Sequence, residues 1–293
     1  MSSITNVAIA GASGNVGPYV INQLVEDGFK VTVLARKGTN HTFPSSVTVT
    51  EIDYESPESL VKALQGQDAV VSAVGFAGLP QQIPLVHAAA KAGVKRFIPS
   101  EYGGDTENAK NAELPPFRPK REVLAALKKE APSGLTYTLI PTGPFLDMGI
   151  DYGFLVNLKE NNITLWNGGD RPFSSTTMPA VAKAISGVLK HPEETKNRSV
   201  FVHSTSKSLN QLLEIAKKVT GPEGWKSEVK STDDALKGAY AKLEKGEIDR
   251  MGFIAASIWG EGYGCDFQKV DNDLLGVKQL NDAELEAFLK EHA

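Results

Sequence analysis

The chain has 293 residues, enough for one large domain or for a domain with an appended lobe. Its net charge of −4 provides no basic surface, so we predict no nucleic-acid partner. No apolar run approaches the roughly 20 residues that span a bilayer, and the N-terminus has no basic leader, so neither a membrane segment nor a signal peptide is predicted. The single cysteine, Cys265, allows no internal disulfide, which favours a cytoplasmic protein.

The chain opens with a predicted strand, a glycine-rich turn and a helix. The apolar run 4–10 comes first, and the amphipathic segment 16–28 comes last. Between them stand Gly11, Gly14 and Gly17, in the spacing G-x-x-G-x-x-G. This order predicts a dinucleotide-binding turn, because glycine permits positive φ and lets a pyrophosphate approach the backbone closely. The free N–H groups and the dipole of the helix N-terminus then attract the anion.

Strands and helices alternate through the first half of the chain. The alternation predicts an α/β fold with a doubly wound parallel sheet, the Rossmann architecture. After the first strand, predicted strands cover 30–35, 47–52, 68–73, 94–98 and 136–140, and predicted helices cover 57–64, 79–92 and 120–129.

The pattern changes after residue 141. The segment 141–154 is rich in glycine, proline and aromatic residues, which predicts a loop over a cleft. Beyond it, strands are predicted at 162–166 and 199–203, helices at 179–189 and 209–220, and helices with glycine breaks over the last seventy residues, ending with 283–291. We therefore predict a nucleotide-binding domain, 1–145 with about 177–205, and a smaller C-terminal substrate lobe, 146–176 with 206–293. Ligands in such folds lie at the carboxyl ends of the strands.

The end of the second predicted strand bears on which dinucleotide is bound. It reads Leu-Ala-Arg-Lys and lacks the acid that holds the ribose 2′-OH of NAD. Arg36 offers a planar fork for a 2′-phosphate, and Lys37 adds positive charge. The pattern therefore favours NADP(H) as the cofactor, while a solvated basic turn remains the alternative interpretation.

Four stretches together resemble the isoflavone reductase-like branch of the NmrA-like atypical short-chain dehydrogenases/reductases. They are GASGNVG, VLAR, KRFIPSEYG and FRPKREV, of which KRFIPSEYG at 95–103 is the most specific. The resemblance implies an NADP-dependent oxidoreductase of secondary metabolism. Its substrate would be a small aromatic or conjugated molecule of the enone, quinone or ether type.

The resemblance also implies where cofactor and substrate bind. It implies that Lys120 is the general acid or base beside the nicotinamide ribose. With the two basic residues above, the expected cofactor contacts are Gly11, Ser13, Gly14, Asn15, Val16, Gly17, Arg36, Lys37, Val74, Gly75, Gln82, Ser100, Glu101, Lys120, Pro141, Thr142, Gly143 and Phe145. The expected substrate contacts are Phe145, Met148 and Tyr152.

Lys120 also stands out from the residues themselves. No tyrosine is followed by lysine four positions later, so the usual acid/base pair of short-chain dehydrogenases is absent. Lys120 follows Pro119 at a predicted helix start, where the helix dipole and desolvation in a cleft would lower its pKa and let it move a proton. A surface lysine is the alternative, and Glu101 has the alternative of anchoring its loop.

Other functions and properties stay open at this point. A non-catalytic nucleotide sensor that acts through a protein partner is one alternative, and a redox-neutral enzyme on the same fold is another. No cluster of histidine, cysteine and acidic residues has metal-ligand spacing, so no metal is predicted. The chain is expected to be a monomer or a homodimer.

Overall fold

Alternating strands and helices build a parallel sheet, as the sequence pattern predicts. The computed structural model describes residues 3–293. Within this range the strands are β1 (Asn6–Ala10), β2 (Lys30–Arg36), β3 (Thr48–Ile52), β4 (Ala69–Ser72), β5 (Arg96–Ile98), β6 (Thr136–Leu139), β7 (Asn162–Trp166), β8 (Phe173–Ser175), β9 (Arg198–Ser199), β10 (Thr205–Lys207) and β11 (Lys226–Lys230).

The main sheet has the strand order β3-β2-β1-β4-β5-β6-β9, with every neighbouring pair parallel. The order reverses between β1 and β4, and ligands of doubly wound folds bind outside the carboxyl ends of the strands at such a switch point. All four residues of β4 are buried, as expected for a strand covered on both faces. The predicted α/β class and Rossmann architecture are confirmed.

Helices cover both faces of this sheet. Apolar residues of α1 and α7 fill one side, and those of α2, α3 and α5 fill the other. The helices are α1 (Gly17–Glu26), α2 (Pro57–Leu64), α3 (Gln82–Lys91), α4 (Ala109–Glu113), α5 (Arg118–Glu130), α6 (Leu146–Asp151), α7 (Met178–Lys190), α8 (Leu209–Thr220), α9 (Thr232–Glu244), α10 (Arg250–Trp259), α11 (Asn272–Leu275) and α12 (Asp282–Glu291).

The C-terminal part of the chain has an apolar core of its own. Trp259 is buried at its centre, with the rings of Phe154, Phe173 and Trp166 at centroid distances of 5.2, 5.5 and 5.9 Å. Apolar residues of α8, α10 and α12 complete this core. In contrast, Leu275 of α11 packs with the core between α1, α7 and the main sheet.

The structure differs from the sequence prediction at several places. The predicted strand 199–203 is reduced to β9, and α4, β8 and β10 were not predicted. Two further differences concern longer stretches. The predicted loop 141–154 contains the helix α6, and the predicted all-helical end contains the strand β11. Every residue of β11 is exposed, so its sequence KSEVK carries no run of buried apolar residues. Its identity as a strand comes from parallel pairing with β7, more than sixty residues away, which a local pattern does not encode.

Among the described residues, no helix is long and apolar enough to cross a bilayer. The prediction of no signal peptide includes the first two residues, and these lie outside the described range.

A buried arginine links neighbouring strands near the β9 edge of the main sheet. Arg96 Nε donates to Thr136 Oγ1, and its Nη1 donates to Thr138 Oγ1 and Thr195 Oγ1, each at 2.9 Å. Its Nη2 donates to the carbonyl of Pro192 at 2.5 Å. Burial lowers the pKa of this guanidinium to about 10. One side chain therefore joins β5, β6 and the loop after α7.

Replacing Arg96 with alanine is expected to lower the free energy of unfolding by about 3 kcal/mol or more. The change removes several charge-assisted hydrogen bonds and leaves buried hydroxyl oxygens beside a cavity. Urea unfolding measures the loss. Arg118→Ala is the control, because that side chain is 78% exposed and its ion pair with Glu122 contributes about 0.5 kcal/mol or less. Equal losses in both variants would contradict the role given to Arg96.

Candidate active site

The glycine turn lies tightly between β1 and the end of β4. The N–H of Gly14 donates to the carbonyl of Gly11 at 3.0 Å, which closes the turn. Gly11 has a φ of +78°, and a Cβ atom there would lie 2.6 Å from the carbonyl carbon of Ala73. A Cβ atom at Gly17 would overlap the main chain of Ala12. Only glycine fits at these two positions, and the turn leaves its outer side open to a ligand.

The first turn of α1 presents unpaired main-chain donors. Val16 is the N-cap residue, and its side chain makes no capping hydrogen bond. The first N–H groups of a helix have no intrahelical partner, and the helix dipole adds positive potential there. This arrangement, together with the glycine turn, fits the pyrophosphate of a dinucleotide.

A cleft of about 380 Å³, which we call the Arg36 cleft, opens beside the turn. Arg36 lines this cleft, whereas Lys37 is not among its lining residues within the described part of the chain, so the expected contact of Lys37 stays a prediction. Successive side chains along a strand point to opposite faces, and Lys37 directly follows Arg36. Sequence reasoning missed several lining residues, because they lie in the coil after β2, after β3 or just before α3, where no periodicity predicts which side chains face the cleft. Those residues are Thr39, His41, Phe43, Tyr54 and Gln81.

A second cleft of about 370 Å³, the Lys120 cleft, continues from the first along the strand ends. It brings together Val74, Gly75, Ser100, Lys120 and Phe145, all of which were expected at the site. The remaining lining residues are Gly14, Asn15, Val16, Ala73, Phe76, Leu79 and Tyr102.

Ser100 is held from two sides. Its hydroxyl donates to the carbonyl of Val74 at 2.7 Å, and its N–H donates to Gln82 Oε1 at 2.8 Å. The other end of the Gln82 amide donates to the carbonyl of Leu79 at 3.2 Å. Gln82 is buried, and both polar atoms of its side chain form hydrogen bonds. Among the described residues, it is not part of the lining of either cleft. Gln82 therefore supports Ser100, and its expected cofactor contact stays a prediction.

The segment after β6 lies beneath the site. The N–H groups of Thr142 and Gly143 both donate to the carbonyl of Gly103 at 2.9 Å, and the carbonyl of Pro141 accepts from Val202. All three residues of this segment are buried and are absent from the described lining of both clefts. Gly143 has a φ of +63°, and a Cβ atom there would overlap the Ser174 carbonyl. These hydrogen bonds give the segment a structural role, and the expected cofactor contacts of Pro141, Thr142 and Gly143 stay predictions.

The two other predicted substrate contacts lie outside the Lys120 cleft. Met148 Sδ accepts a hydrogen bond from Asn15 Nδ2 at 3.4 Å, so Met148 joins α6 to the glycine turn. Tyr152 is 74% exposed. It stands at the C-terminal end of α6, a helix that the sequence pattern did not predict, and its side chain faces solvent. Phe145 alone of the three lines the cleft within the described residues.

Lys120 and Glu101 form a buried pair at the inner end of the Lys120 cleft. Lys120 is 6% exposed, and its Nζ donates to the main-chain carbonyl of Glu101 at 2.9 Å. Burial lowers the pKa of Lys120, and the charge of Glu101 opposes this effect. Glu101 is 2% exposed, and its carboxylate accepts from the Thr106 hydroxyl. Burial raises the pKa of Glu101 to about 7, with Lys120 opposing. Each of the two buried groups therefore opposes the effect of burial on the pKa of the other.

The sequence that builds this site matches a known protein family. Residues 4–237 match the model of the NmrA-like family. The chain belongs to this family. It is 35% identical over 291 residues to oxidoreductase aprR of Aspergillus flavus, covering 97% of this chain and 98% of that protein. It is 27% identical over 240 residues to phenylcoumaran benzylic ether reductase TP7 of Nicotiana tabacum, covering 75% and 76%.

The structure agrees with this assignment. Leucoanthocyanidin reductase of Vitis vinifera, solved as a binary complex with NADPH, has the same fold, with a TM-score of 0.77, 22% identity and coverage of 98% and 99%. The predicted membership of the isoflavone reductase-like group and the prediction of an oxidoreductase are confirmed. The NmrA-like chain is therefore an enzyme of this class.

Proposed function

We propose that the NmrA-like chain is an NADPH-dependent reductase that transfers hydride to a small aromatic or conjugated substrate, with Lys120 as the general acid or base. One observation carries this proposal. The buried Nζ of Lys120 lines a cleft that shares Gly14, Val74 and Gly75 with the Arg36 cleft. A dinucleotide laid along the strand ends from Arg36 would bring its reactive end beside Lys120.

The residues present fit NADP(H). The glycine turn and the free N–H groups of α1 suit its pyrophosphate. Arg36 at the end of β2 supplies a planar cation for the 2′-phosphate, and no acid follows it to favour NAD. The leucoanthocyanidin reductase neighbour was solved with NADPH, which supports the same choice here.

The walls of the Lys120 cleft indicate the class of substrate. Phe76, Leu79, Tyr102 and Phe145 give it an apolar and largely aromatic surface. Such walls suit planar conjugated molecules, and the polar groups at the inner end then fix their orientation. We infer that an enone, a quinone or an ether of this kind is reduced. The name of the tobacco relative, a benzylic ether reductase, supports the third of these.

The chain's own residues control the proton. NADP(H), when bound, supplies the hydride. As negative charge develops on the substrate oxygen, the ammonium of Lys120 donates a proton to it. Tyr102 does not compete for this role, because its hydroxyl donates to the carbonyl of Ser72 at 3.1 Å and burial raises its pKa. Phe145 and the ring of Tyr102 exclude water from the reacting atoms.

A labelling assay tests the proposed function. The purified protein is titrated with NADPH, NADP+, NADH and NAD+, and then incubated with NADPH deuterated at C4 on either face and with an aromatic enone, a quinone or a benzylic ether. We expect tighter binding of NADPH than of NADH, and deuterium in the reduced product of one acceptor class from one face only. NADPH binding without transfer to any acceptor, together with nucleotide-dependent capture of a protein partner, would instead identify a sensor.

A further inference from the structure

A second ionisable group lies behind Lys120 and is not used in the mechanism above. Glu101 is as deeply buried as the lysine, and the described lining of neither cleft includes it. Its main-chain carbonyl accepts the Lys120 ammonium, and its carboxylate accepts the Thr106 hydroxyl. The main chain of Glu101 therefore fixes the position of the lysine, while its buried carboxylate is bound by Thr106.

Few charges act on this pair. Lys120 from α5 and Asp105 and Glu107 from the loop after β5 are the charged groups that act on Glu101. The two acids raise the pKa of Glu101, whereas Lys120 lowers it. On Lys120, the charge acting from within the described residues is that of Glu101. The protonation states of the two buried groups are therefore set mainly by burial and by each other.

We propose that Glu101 is a positioning residue that shares one proton with Lys120 and so keeps the buried pair electrically neutral through the reaction. The inference rests on the proposed function, because Glu101 acts here on Lys120, the proposed proton donor. It goes beyond the cofactor contact that the family resemblance implies for this residue.

The proton balance of one turnover follows from this neutrality. At the start, Lys120 is an ammonium and Glu101 a carboxylate. An N–H bond of Lys120 breaks as an O–H bond forms on the substrate, which leaves a neutral amine beside a buried carboxylate. That net negative charge is costly in a buried site, so Glu101 takes one proton from solvent. Lys120 then regains a proton from solvent through the cleft as Glu101 releases its own, which restores the starting state, and the reduction consumes one proton in total.

Glu101→Gln tests the inference with little change of shape. Glutamine still offers an oxygen to the Thr106 hydroxyl but carries no charge. Without the carboxylate, Lys120 should lose its proton at lower pH, because the charge of Glu101 raises the lysine pKa. The measurement is a ¹³C NMR titration of the cofactor-free protein, in which the Lys120 Cε signal is assigned by its absence from Lys120→Met. In Glu101→Gln, we expect the midpoint of this titration to move down by about one pH unit or more.

The kinetic test measures kcat as a function of pH, with the acceptor that is reduced in the deuterium assay. The alkaline limb of kcat should move to lower pH in Glu101→Gln, so that kcat falls about tenfold above both midpoints. At acidic pH, where Lys120 is protonated in both proteins, the two rates should converge. Glu101→Asp keeps the carboxylate and should restore part of the alkaline limb. A merely structural role of Glu101 would lower kcat equally at every pH.

Two further variants serve as a substitute for Glu101→Gln and as its control. If Glu101→Gln does not fold, Thr106→Val removes the hydroxyl that stabilises the carboxylate, and it should move the Lys120 transition in the same direction by less. Glu122→Gln is the matched control, since that acid lies on the same helix as Lys120, is 45% exposed and pairs with Arg118. An unchanged Lys120 transition in Glu101→Gln would overturn the inference. Full turnover in Lys120→Met would instead overturn the general-acid role within the proposed function.

Discussion

Turnover of the Lys120→Met variant is expected to fall at least about 100-fold, since general acid catalysis contributes about 10²- to 10⁴-fold. Methionine keeps the length and the apolar stem of the lysine but can neither hold nor give a proton. The position is buried, so an uncharged side chain fits without a desolvation penalty. NADPH affinity should change far less than turnover, because the glycine turn and Arg36, which are proposed to hold the pyrophosphate and the 2′-phosphate, are untouched. Steady-state kinetics and a fluorescence titration of NADPH measure the two quantities.

Two controls separate proton transfer from charge and from helix stability. Lys120→Arg retains a cation that does not deprotonate in proteins, so it should be about as inactive as Lys120→Met. Lys128→Met changes an exposed lysine on the same helix, and turnover should remain at the level of the unmodified protein. Full activity in Lys120→Met, or equal losses in Lys120→Met and Lys128→Met, would contradict the assigned role.

The glycine turn could be predicted from sequence because its cause is local. The residues that must approach Ala12 and Ala73 closely are glycines at fixed spacing between a strand and a helix. The α/β alternation is equally local, and the parallel sheet follows from it. The position of Arg36 follows from the end of the second strand. For Lys120, the residues allowed both a surface lysine and a proton donor, and the family resemblance favoured the second.

Sequence alone did not predict which contacts polar residues make where those contacts are tertiary. Gln82 and Thr142 stand at element ends near the site, and their positions suit cofactor contacts as well as structural roles. Their observed partners are distant in sequence, Ser100 for Gln82 and Gly103 for Thr142. The exposed position of Tyr152 was not predictable for a related reason, because the local pattern of glycine, proline and aromatic residues concealed the short helix α6.

Arg36→Ala is expected to weaken NADPH binding about 10- to 100-fold, because hydrogen bonds to charged groups contribute about 1.5–3 kcal/mol and each 1.4 kcal/mol is tenfold in affinity. NADH lacks the 2′-phosphate, so its affinity should stay the same. The discrimination between the two nucleotides should therefore almost disappear. Arg36→Glu should go further, since a carboxylate repels the phosphate and offers an acceptor to the ribose 2′-OH of NADH. Parallel titrations with both nucleotides measure the ratio of affinities.

Lys37→Ala is the matched control for the position of Arg36. Both residues are basic, exposed and adjacent, but the described lining of the Arg36 cleft includes only the first. If net positive charge near β2 were all that NADPH required, the two alanine variants would lose affinity equally. Since the strand turns their side chains to opposite faces, the structure predicts a large loss for Arg36 and a small, salt-sensitive loss for Lys37. Equal losses would mean that the cofactor is held by general charge rather than by a defined 2′-phosphate contact.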